Sequence, residues 1–399
     1  MNNKKIMILG ASILQLPAIE KAMEMGLDVV AVDMNPDAVG FAVKGVQKEV
    51  ISTIDIPAVL EAAKRHGIHG IMTLASDMPM RTVAAVAGEM GLVGISGDTA
   101  IKATNKAVMR QALESHNVPI PKYYKVTTRE EYLRAAGALA GPFMVKPADN
   151  SGSRGIIKVE STSDTEAVLQ AYDYSRQNSR GGDVVVEEYM SGPEVSVETL
   201  TVDGQCHVIQ ITDKLTTGAP HFVEMGHTQP TAHDAQTAEK IRQVAIAANR
   251  AVGITNGPSH TEIIVTAEGP KIVELGARLG GDCITTHLVP LSTGVDMVEC
   301  CIRIALGEQP ELTPKFSRGS AIRYFSQTPG MVRTITGIET ARAIDGIRQV
   351  SIVHGVGETV GQIDSSGARL GFVIAQADDA KAAAAVCEKA MDAIEITIE

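Results

Sequence analysis

Two glutamates and an arginine lie close together in a stretch that is typical of a β-hairpin. The segment TEIIVTAEGPKIVELGARLGG (261–281) has two strand-like runs around a turn at 267–270, with Glu262 on the first and Glu274 on the second. Strand alternation can direct both carboxylates into one cleft, where they repel each other unless a cation lies between them. Mg²⁺ binds carboxylate and phosphate oxygens, and Arg278 would stabilise negative oxygens on a transferring phosphoryl group. From the pair alone, two solvated glutamates on a surface hairpin remain an alternative.

A pair of lysines and a loop of small residues could bind phosphates. Lys146 lies within the apolar strand PFMVKPA (142–148), where a buried ammonium needs a partner or an anion. Lys106 falls in a predicted helix. The loop DNSGSRG (149–155) would expose backbone N–H groups that can bind phosphate oxygens. For the lysine, the alternative is a side chain whose stem is buried and whose ammonium reaches solvent. For the loop, the alternative is an ordinary turn, and the Walker A pattern is absent.

The segment PHFVEMGHTQP (220–230) is the candidate substrate-binding stretch. The carboxylate of Glu224 suits an incoming ammonium, and His227 can hydrogen-bond or accept a proton near pH 7. A structural histidine in a loop is the alternative.

In this order, the features resemble the ATP-grasp fold, in the branch of carboxylate–amine ligases that contains the L-amino-acid (dipeptide) ligases. Biotin carboxylase and glycinamide ribonucleotide synthetase are related to that branch. The resemblance covers essentially the whole chain and is strongest from about residue 100 to residue 300. The matching stretches are Asn105-Lys106 through Met109-Arg110, VKPADNSGSRGI (145–156), VVVEEYMSGPEVSVE (184–198) and 261–281.

The resemblance implies an ADP-forming ligase that uses ATP with Mg²⁺, or with Mn²⁺ in its place. A substrate carboxylate would become an acyl phosphate that an amine then attacks, and an amino acid is the expected substrate. A biotin-carboxylase-like enzyme, a phosphoribosylamine–glycine-ligase-like enzyme and a non-catalytic nucleotide-binding protein are the alternatives.

The resemblance also implies a role for each candidate residue. The nucleotide-binding candidates are Lys106 and Lys146 for the phosphates, Ser151, Gly152, Ser153 and Gly155 for a loop that closes over them, Glu187 and the backbone of Glu188 and Met190 for the adenine, and Glu194 for the ribose. The other candidates are Glu262 and Glu274 for Mg²⁺, Arg278 for the acyl phosphate, and Glu224 and His227 for the substrates. Many members have Asn two residues after the second glutamate, where this chain has Gly276, so a third metal-site side chain is missing.

The elements that would position these residues begin with a βαβ pattern. KIMIL (5–9), a helix over about 15–25 and a second apolar run that ends at Asp33 predict a parallel sheet. A dinucleotide site needs three glycines after the first strand, and only Gly10 is present, so a dehydrogenase is disfavoured. A further helix is predicted from Asp98 to about residue 116.

The predicted fold class is α/β and α+β. It comprises an N-terminal doubly wound parallel-sheet domain, a two-subdomain ATP-grasp unit and a C-terminal lid-like α+β domain. The predicted boundaries are 1–95 for the N-terminal domain, 96–182 for the subdomain with the phosphate loop, 183–312 for the subdomain with the metal site and 313–399 for the C-terminal domain.

Composition limits the partners and the location. The formal net charge of −11 disfavours nucleic acid and anionic membranes as general partners. No apolar run reaches the roughly 18 residues of a membrane span, and no signal peptide is evident, so a cytoplasmic location is expected. The expected partners are a small-molecule carboxylate and an amine, and the resemblance adds a homodimer.

Overall fold

The computed structural model describes residues 4–139, 141–150, 152, 154–219 and 222–399. Its N-terminal part alternates strands and helices. These elements are β1 Lys5–Leu9, α1 Leu16–Glu24, β2 Asp28–Asp33, β3 Gln47–Val50, α2 Ile56–His66, β4 Gly70–Thr73, α3 Pro79–Met90 and α4 Gly97–Lys102. The four strands form a parallel sheet in the order β3-β2-β1-β4.

Both faces of this parallel sheet are buried. Met7 and Leu9 of β1 share a hydrophobic core with α2 and α3, whereas Ile6 and Ile8 share another core with α1. Coverage on both faces is characteristic of doubly wound α/β folds. The predicted N-terminal parallel-sheet fold is therefore confirmed.

Asp33, at the end of β2, has a local structural role. One carboxylate oxygen accepts a hydrogen bond from the Ala11 amide at 2.8 Å, and the other accepts one from the Asn35 amide at 2.9 Å. The side chain thus holds together the loops that follow β1 and β2. This use of Asp33 accounts for an acidic strand end without a dinucleotide.

A second four-stranded sheet, called the small sheet below, follows α4 in the chain. Its elements are α5 Lys106–Ser115, β5 Tyr123–Val126, α6 Arg129–Gly137, β6 Phe143–Pro147, β7 Ile157–Val159, α7 Thr165–Gln177 and β8 Val184–Glu188. The strands pair antiparallel in the order β5-β8-β6-β7. Strands β6 and β7 pair as a hairpin, and the candidate phosphate loop lies between them in the chain.

The single helix predicted from Asp98 to about residue 116 is wrong. The structure has two helices, α4 and α5, separated at residues 103–105. The side chain of Asn105 accepts hydrogen bonds from the amides of Ala107 and Val108, both at 3.1 Å, and so caps a new helix. Lys106 consequently lies in the first turn of α5 and not in the middle of a long helix.

The third part is built on an antiparallel sheet of eight strands. Its elements as far as residue 305 are β9 Glu194–Val202, β10 Gln205–Thr216, β11 Glu224–Gln229, α8 Ala235–Val252, β12 Gly257–Thr266, β13 Gly269–Gly276, a π-helical turn Ile284–Leu288, α9 Val289–Thr293 and α10 Met297–Ala305. The C-terminal elements are β14 Gly319–Tyr324, β15 Gly330–Thr336, α11 Ile338–Arg342, β16 Ile347–Ile352, β17 Thr359–Val360, β18 Gly371–Ala377, α12 Ala380–Asp392 and β19 Glu395–Ile398.

One sheet crosses the boundary predicted at residue 312. The strand order is β13-β12-β9-β10-β11-β14-β18-β16, and the β11–β14 pair joins the two segments. A separate three-stranded sheet, β17-β15-β19, completes the C-terminal region. The C-terminal α+β segment therefore extends the central sheet, while the exact domain boundaries stay a prediction. Within the described residues, no helix is both long enough and apolar enough to cross a lipid bilayer.

Candidate active site

A cavity of about 660 Å³ brings the candidate residues together. Its wall includes Asp77 from the N-terminal part, Lys146 from the small sheet, and Glu262 and Glu274 from the large sheet. Residues from distant parts of the chain thus face one space, which is how ligand sites at domain junctions are usually built.

The hairpin β12–β13 places the two metal candidates side by side. Glu262 and Glu274 are directly paired across the two strands, and the register shifts immediately after Glu262. The neighbouring strands β9, β10 and β11 contribute Glu194, Lys214 and Glu224 to the same cavity. The hairpin predicted from sequence is present, and its two carboxylates do line a cleft.

Lys214 is a central charged residue that the sequence analysis missed. Its ammonium, on a side chain only 4% exposed, lies 2.5 Å from a carboxylate oxygen of Glu194, 2.9 Å from Glu262 and 3.5 Å from Glu224. Burial alone would lower the pKa of Lys214, but the three carboxylates raise it well above the usual range. Burial would likewise raise the pKa of Glu262, but Lys214 and His260 hold it well below the usual range of a glutamate. The sequence shows Lys214 only as a lysine within a strand, and this pattern does not reveal the three carboxylates that it contacts.

Each metal candidate is held by a lysine. The Lys106 ammonium lies 3.0 Å from a Glu274 oxygen and donates to the Asn150 carbonyl at 2.6 Å, while Lys214 holds Glu262. Among the described residues, no three His, Cys, Asp or Glu side chains are grouped as a complete metal site. Two facing carboxylates still fit Mg²⁺, which typically binds one or two protein carboxylates together with substrate phosphates.

Lys146 belongs to a buried ionic triad. Its ammonium lies 2.8 Å from one oxygen of Glu187, and Nε of Arg110 lies 2.6 Å from the other. Burial would raise the pKa of Glu187, but the two cations hold it at about 2. The Glu187 side chain is therefore engaged with Lys146 and Arg110, and in this position it can orient Lys146 towards the cavity.

The candidate phosphate loop is anchored by hydrogen bonds at Asp149 and is sterically restricted at Gly155. Asp149 accepts hydrogen bonds from the amides of Arg180 and Gly181, both at 2.8 Å. Gly155 has φ +79°, and a Cβ there would lie 2.5 Å from the Cβ of Asn178, so only glycine fits. Gly152 lines the cavity, whereas Ser151 and Ser153 lie outside the described residues.

The chain passes from the small sheet to the large one between β8 and β9. Glu188 and Met190, the adenine candidates, line the cavity at this connection. The Glu188 amide already donates to the Lys122 carbonyl at 2.9 Å. At Gly192, with φ +150°, a Cβ would lie 2.1 Å from the Val265 carbonyl oxygen, so glycine lets the connection pass close to β12.

Arg278 is held by the N-terminal part of the chain. Its Nε lies 2.8 Å from one oxygen of Asp77, and Nη2 lies 3.4 Å from the other. A Cβ at Gly276 would lie 2.8 Å from the same Asp77 oxygen that accepts from Nε. The space that a side chain at 276 would need is thus occupied by the Asp77 carboxylate, which comes from another part of the chain. Sequence spacing could not reveal this contact.

The substrate-binding candidates are connected to the C-terminal segment. His227 is 1% exposed, and its Nε2 lies 3.2 Å from Oδ2 of Asp282. Arg369 binds both oxygens of Asp282, at 2.9 and 2.7 Å, and donates to the Glu224 carbonyl at 3.0 Å. Burial would raise the pKa of Asp282, but hydrogen bonds from Arg369 and His227 hold it well below its usual range. Asp282 and Arg369 are further site residues that the sequence analysis missed.

His260 is a further residue of the cavity wall that the sequence analysis did not select. Its Nδ1 lies 2.6 Å from a carboxylate oxygen of the buried Glu198. Burial would lower the pKa of His260, but the Glu198 charge and hydrogen bond raise it to about 9. A protonated His260 therefore adds positive charge 3.5 Å from Glu262.

Comparison with known families agrees with this geometry. Residues 139–286 match the ATP-grasp domain, and residues 323–399 match the L-amino acid ligase C-terminal domain 2. This chain contains an ATP-grasp domain followed by an L-amino acid ligase C-terminal domain. The ATP-grasp match spans the phosphate loop, both metal candidates and Arg278, and the second match contains Arg369.

Individual relatives of this chain include a named ligase. This chain is 25% identical over 294 residues to the L-arginine-specific L-amino acid ligase of Bacillus subtilis, and the match covers 71% of this chain and 70% of the relative. It is 29% identical over 361 residues to the uncharacterized protein y4rH of Sinorhizobium fredii, covering 87% and 73%. The crystal structure of an L-amino acid ligase from Bacillus licheniformis superposes with a TM-score of 0.86 at 22% identity, covering 100% of both chains. The last similarity supports the fold.

Proposed function

We propose that this protein is an ATP-dependent ligase that joins the carboxylate of an amino acid to an amine and releases ADP and phosphate. The observation that carries the proposal is the direct pairing of Glu262 with Glu274 in a cavity that Lys146 and Arg278 also line, with Lys106 in an adjoining cavity. Paired carboxylates, phosphate-binding cations and an arginine are the parts that phosphoryl transfer needs.

The nucleotide is assigned to the space between the two antiparallel sheets. Lys106 and Lys146 bind the ATP phosphates, and the loop with Gly152 and Gly155 closes over them. Glu187 keeps Lys146 in place, so we assign its side chain a positioning role. Glu188 and Met190 lie beside the adenine and Glu194 beside the ribose. The geometry supports these assignments because all of these residues except Gly155 and the buried Lys106 line the main cavity, and Lys106 lines an adjoining one.

Glu262 and Glu274 would hold Mg²⁺ against the phosphates, and Mn²⁺ is an alternative ion with similar ligands. The metal would supply charge neutralisation for the phosphoryl group that is transferred. Lys214 and Lys106 now neutralise these carboxylates, so each lysine must share its partner when the metal binds.

The reaction has two balanced steps. A carboxylate oxygen of the acid attacks the γ-phosphorus, and the bond to the ADP oxygen breaks. Arg278 stabilises the negative oxygens of the acyl phosphate that forms. The nitrogen of the amine then attacks the acyl carbon and expels inorganic phosphate, which leaves an amide. Closure of the loop over the phosphates excludes water, so that the acyl phosphate is not hydrolysed.

The amine is assigned to Glu224 and His227. The ammonium form of the amine must lose a proton before its nitrogen can attack, and we assign that proton to His227, because Asp282 binds its Nε2 and fixes the ring orientation. Glu224 supplies a carboxylate for the ammonium form. The assignment to amino acids is supported by the L-amino acid ligase domain in the C-terminal segment. A homodimer is inferred from the family resemblance alone.

The test is to incubate the protein with Mg-ATP and pooled amino acids and to analyse nucleotides and products by mass spectrometry. We expect ADP and a new mass that equals two inputs minus water. Glu274→Gln should lower turnover by roughly 100-fold or more, while Glu268→Gln, at the exposed tip of the same hairpin, should not. AMP as the product, or unchanged turnover in Glu274→Gln, would contradict the proposal.

A further inference from the structure

The cavity extends past Arg278 to the carboxyl edge of the N-terminal parallel sheet. Each of the four strands contributes a wall residue from the loop that follows it: Leu14 after β1, Met34 after β2, Ile54 after β3 and Asp77 after β4. Ligands of open α/β sheets bind at the carboxyl ends of the strands. Of these four residues, only Asp77 has a partner in the site described above.

Three of these wall residues are apolar and face solvent. Leu14 is 48% exposed, Met34 71% and Ile54 47%. Single exposed apolar residues are common on protein surfaces, but three from separate loops that line one cavity indicate a binding surface. Covering them with an apolar group removes that area from water, which is favourable in proportion to the area covered.

This apolar wall is connected to the arginine that is assigned to the acyl phosphate. Leu74 forms a parallel bridge with Leu279, and the Ala75 amide donates to the Leu279 carbonyl at 3.3 Å. Asp77 binds Arg278 directly. The adenine candidates lie instead at the connection between the two antiparallel sheets. The acyl group, rather than the nucleotide, is therefore adjacent to the N-terminal edge.

We propose that the acid substrate carries an apolar side chain that packs against Leu14, Met34 and Ile54. The proposal rests on the proposed function, because Arg278 must hold the acyl phosphate for the wall to contact the acyl side chain. A charged side chain would lose water against these groups and gain no partner of opposite charge from them. Ser52 and Thr53, which also line this edge, carry no formal charge.

The test uses hydroxylamine as the amine, because it converts an acyl phosphate to a hydroxamate and so identifies the acid alone. The protein is assayed with Mg-ATP and one acid at a time: alanine, leucine, norleucine, aspartate or lysine. ADP and hydroxamate are both measured. We expect kcat/KM for leucine or norleucine to exceed that for aspartate and lysine by at least about tenfold, and to exceed that for alanine by a similar factor.

Variants locate the preference on the wall. Met34→Glu and Ile54→Glu should each lower the ratio of kcat/KM for leucine to that for alanine by roughly tenfold or more. Val353→Glu is the matched control, because Val353 is 55% exposed and lies outside the cavity wall, and it should leave the ratio unchanged. Thermal unfolding of each variant checks that the fold is retained.

The outcomes separate the two proposals. A preference for aspartate or lysine in the formation of ADP and hydroxamate would overturn the proposal of an apolar acid substrate. An unchanged ratio of kcat/KM in both wall variants would also overturn it. Either result would leave the proposed ligase function intact. No ADP with any acid would overturn the proposed function and this inference together.

Discussion

Gly276 lies so close to the Asp77 carboxylate that a side chain at position 276 would have to displace it. A Cβ at 276 would lie 2.8 Å from the Asp77 carboxylate and 3.3 Å from Nε of Arg278. Gly276→Asn should therefore displace the Asp77–Arg278 ion pair and lower the free energy of unfolding by about 1–3 kcal/mol. Urea denaturation measures this loss.

The control for Gly276→Asn is a double-mutant cycle with Asp77→Ala. Removing the carboxylate opens space for the new side chain, so the two losses should be less than additive by at least about 0.5 kcal/mol. Additive losses would show that the two residues do not compete for the same space.

Glu187 gives the buried ionic triad a defined pH dependence. Its pKa falls from an ordinary 4.5 to about 2 in the folded protein, where burial is outweighed by Arg110 and Lys146. The ionised group therefore stabilises the fold above pH 4.5, and this contribution is lost as the pH falls from 4.5 towards 2. The difference in unfolding free energy between wild type and Glu187→Gln should shrink between about pH 6 and about pH 3. A constant difference across that range would mean that Glu187 titrates as in the unfolded chain.

At the scale of elements, the break between α4 and α5 positions Lys106. Asn105 caps α5, so Asn105→Ala should cost about 1 kcal/mol of stability and raise the KM for ATP, because the first turn that carries Lys106 loosens. Urea denaturation and initial-rate kinetics measure the two effects.

A cap elsewhere in the fold provides the comparison. Asp379 caps α12 by accepting from the Ala382 amide at 2.8 Å, and it lies outside the cavity wall. Asp379→Ala should cost similar stability and leave the KM for ATP unchanged. An equal rise in KM for both variants would attribute the effect to general destabilisation.

Local patterns predicted the elements that depend on neighbouring residues. Alternating runs around a short turn predicted the hairpin with Glu262 and Glu274, and strand–helix alternation predicted the parallel sheet. The single helix over 98–116 was wrong because the capping of α5 by Asn105 outweighed the continuous helical pattern.

Contacts over long sequence distances were beyond the reach of these patterns. Lys214 contacts Glu194 and Glu262 only because its strand, β10, pairs with β9, and β9 in turn pairs with β12. Asp77 meets Arg278 across 201 positions in the chain. Spacing can identify a residue type that suits catalysis, but the partners that set its charge and orientation come from the assembled sheets.

At the scale of the whole molecule, all three parts of the chain contribute to one site. The N-terminal part supplies Asp77 to Arg278, and the C-terminal segment supplies Arg369 to Asp282. Arg369 also stacks on Tyr324, with its guanidinium carbon 3.7 Å from the ring centroid. The C-terminal segment therefore supports the substrate-binding strand as well as extending the sheet.

Arg369→Ala should have a large effect because it leaves the Asp282 carboxylate buried without its bidentate partner. We expect a loss of about 3–5 kcal/mol in unfolding free energy. Arg333→Ala removes an exposed pair with Glu399 and should cost below about 1 kcal/mol. Equal, small losses in both variants would show that the Arg369–Asp282 pair is as weak as a surface pair.

The central claim is that the acid is activated as an acyl phosphate, and transfer of an oxygen isotope tests it most directly. The acid found by product analysis is labelled with ¹⁸O in its carboxylate and converted with Mg-ATP and the amine. The account predicts that each inorganic phosphate released carries one oxygen from the carboxylate. Labelled AMP, or phosphate without label while the amide forms, would contradict the acyl phosphate and the roles assigned to Glu274 and Arg278.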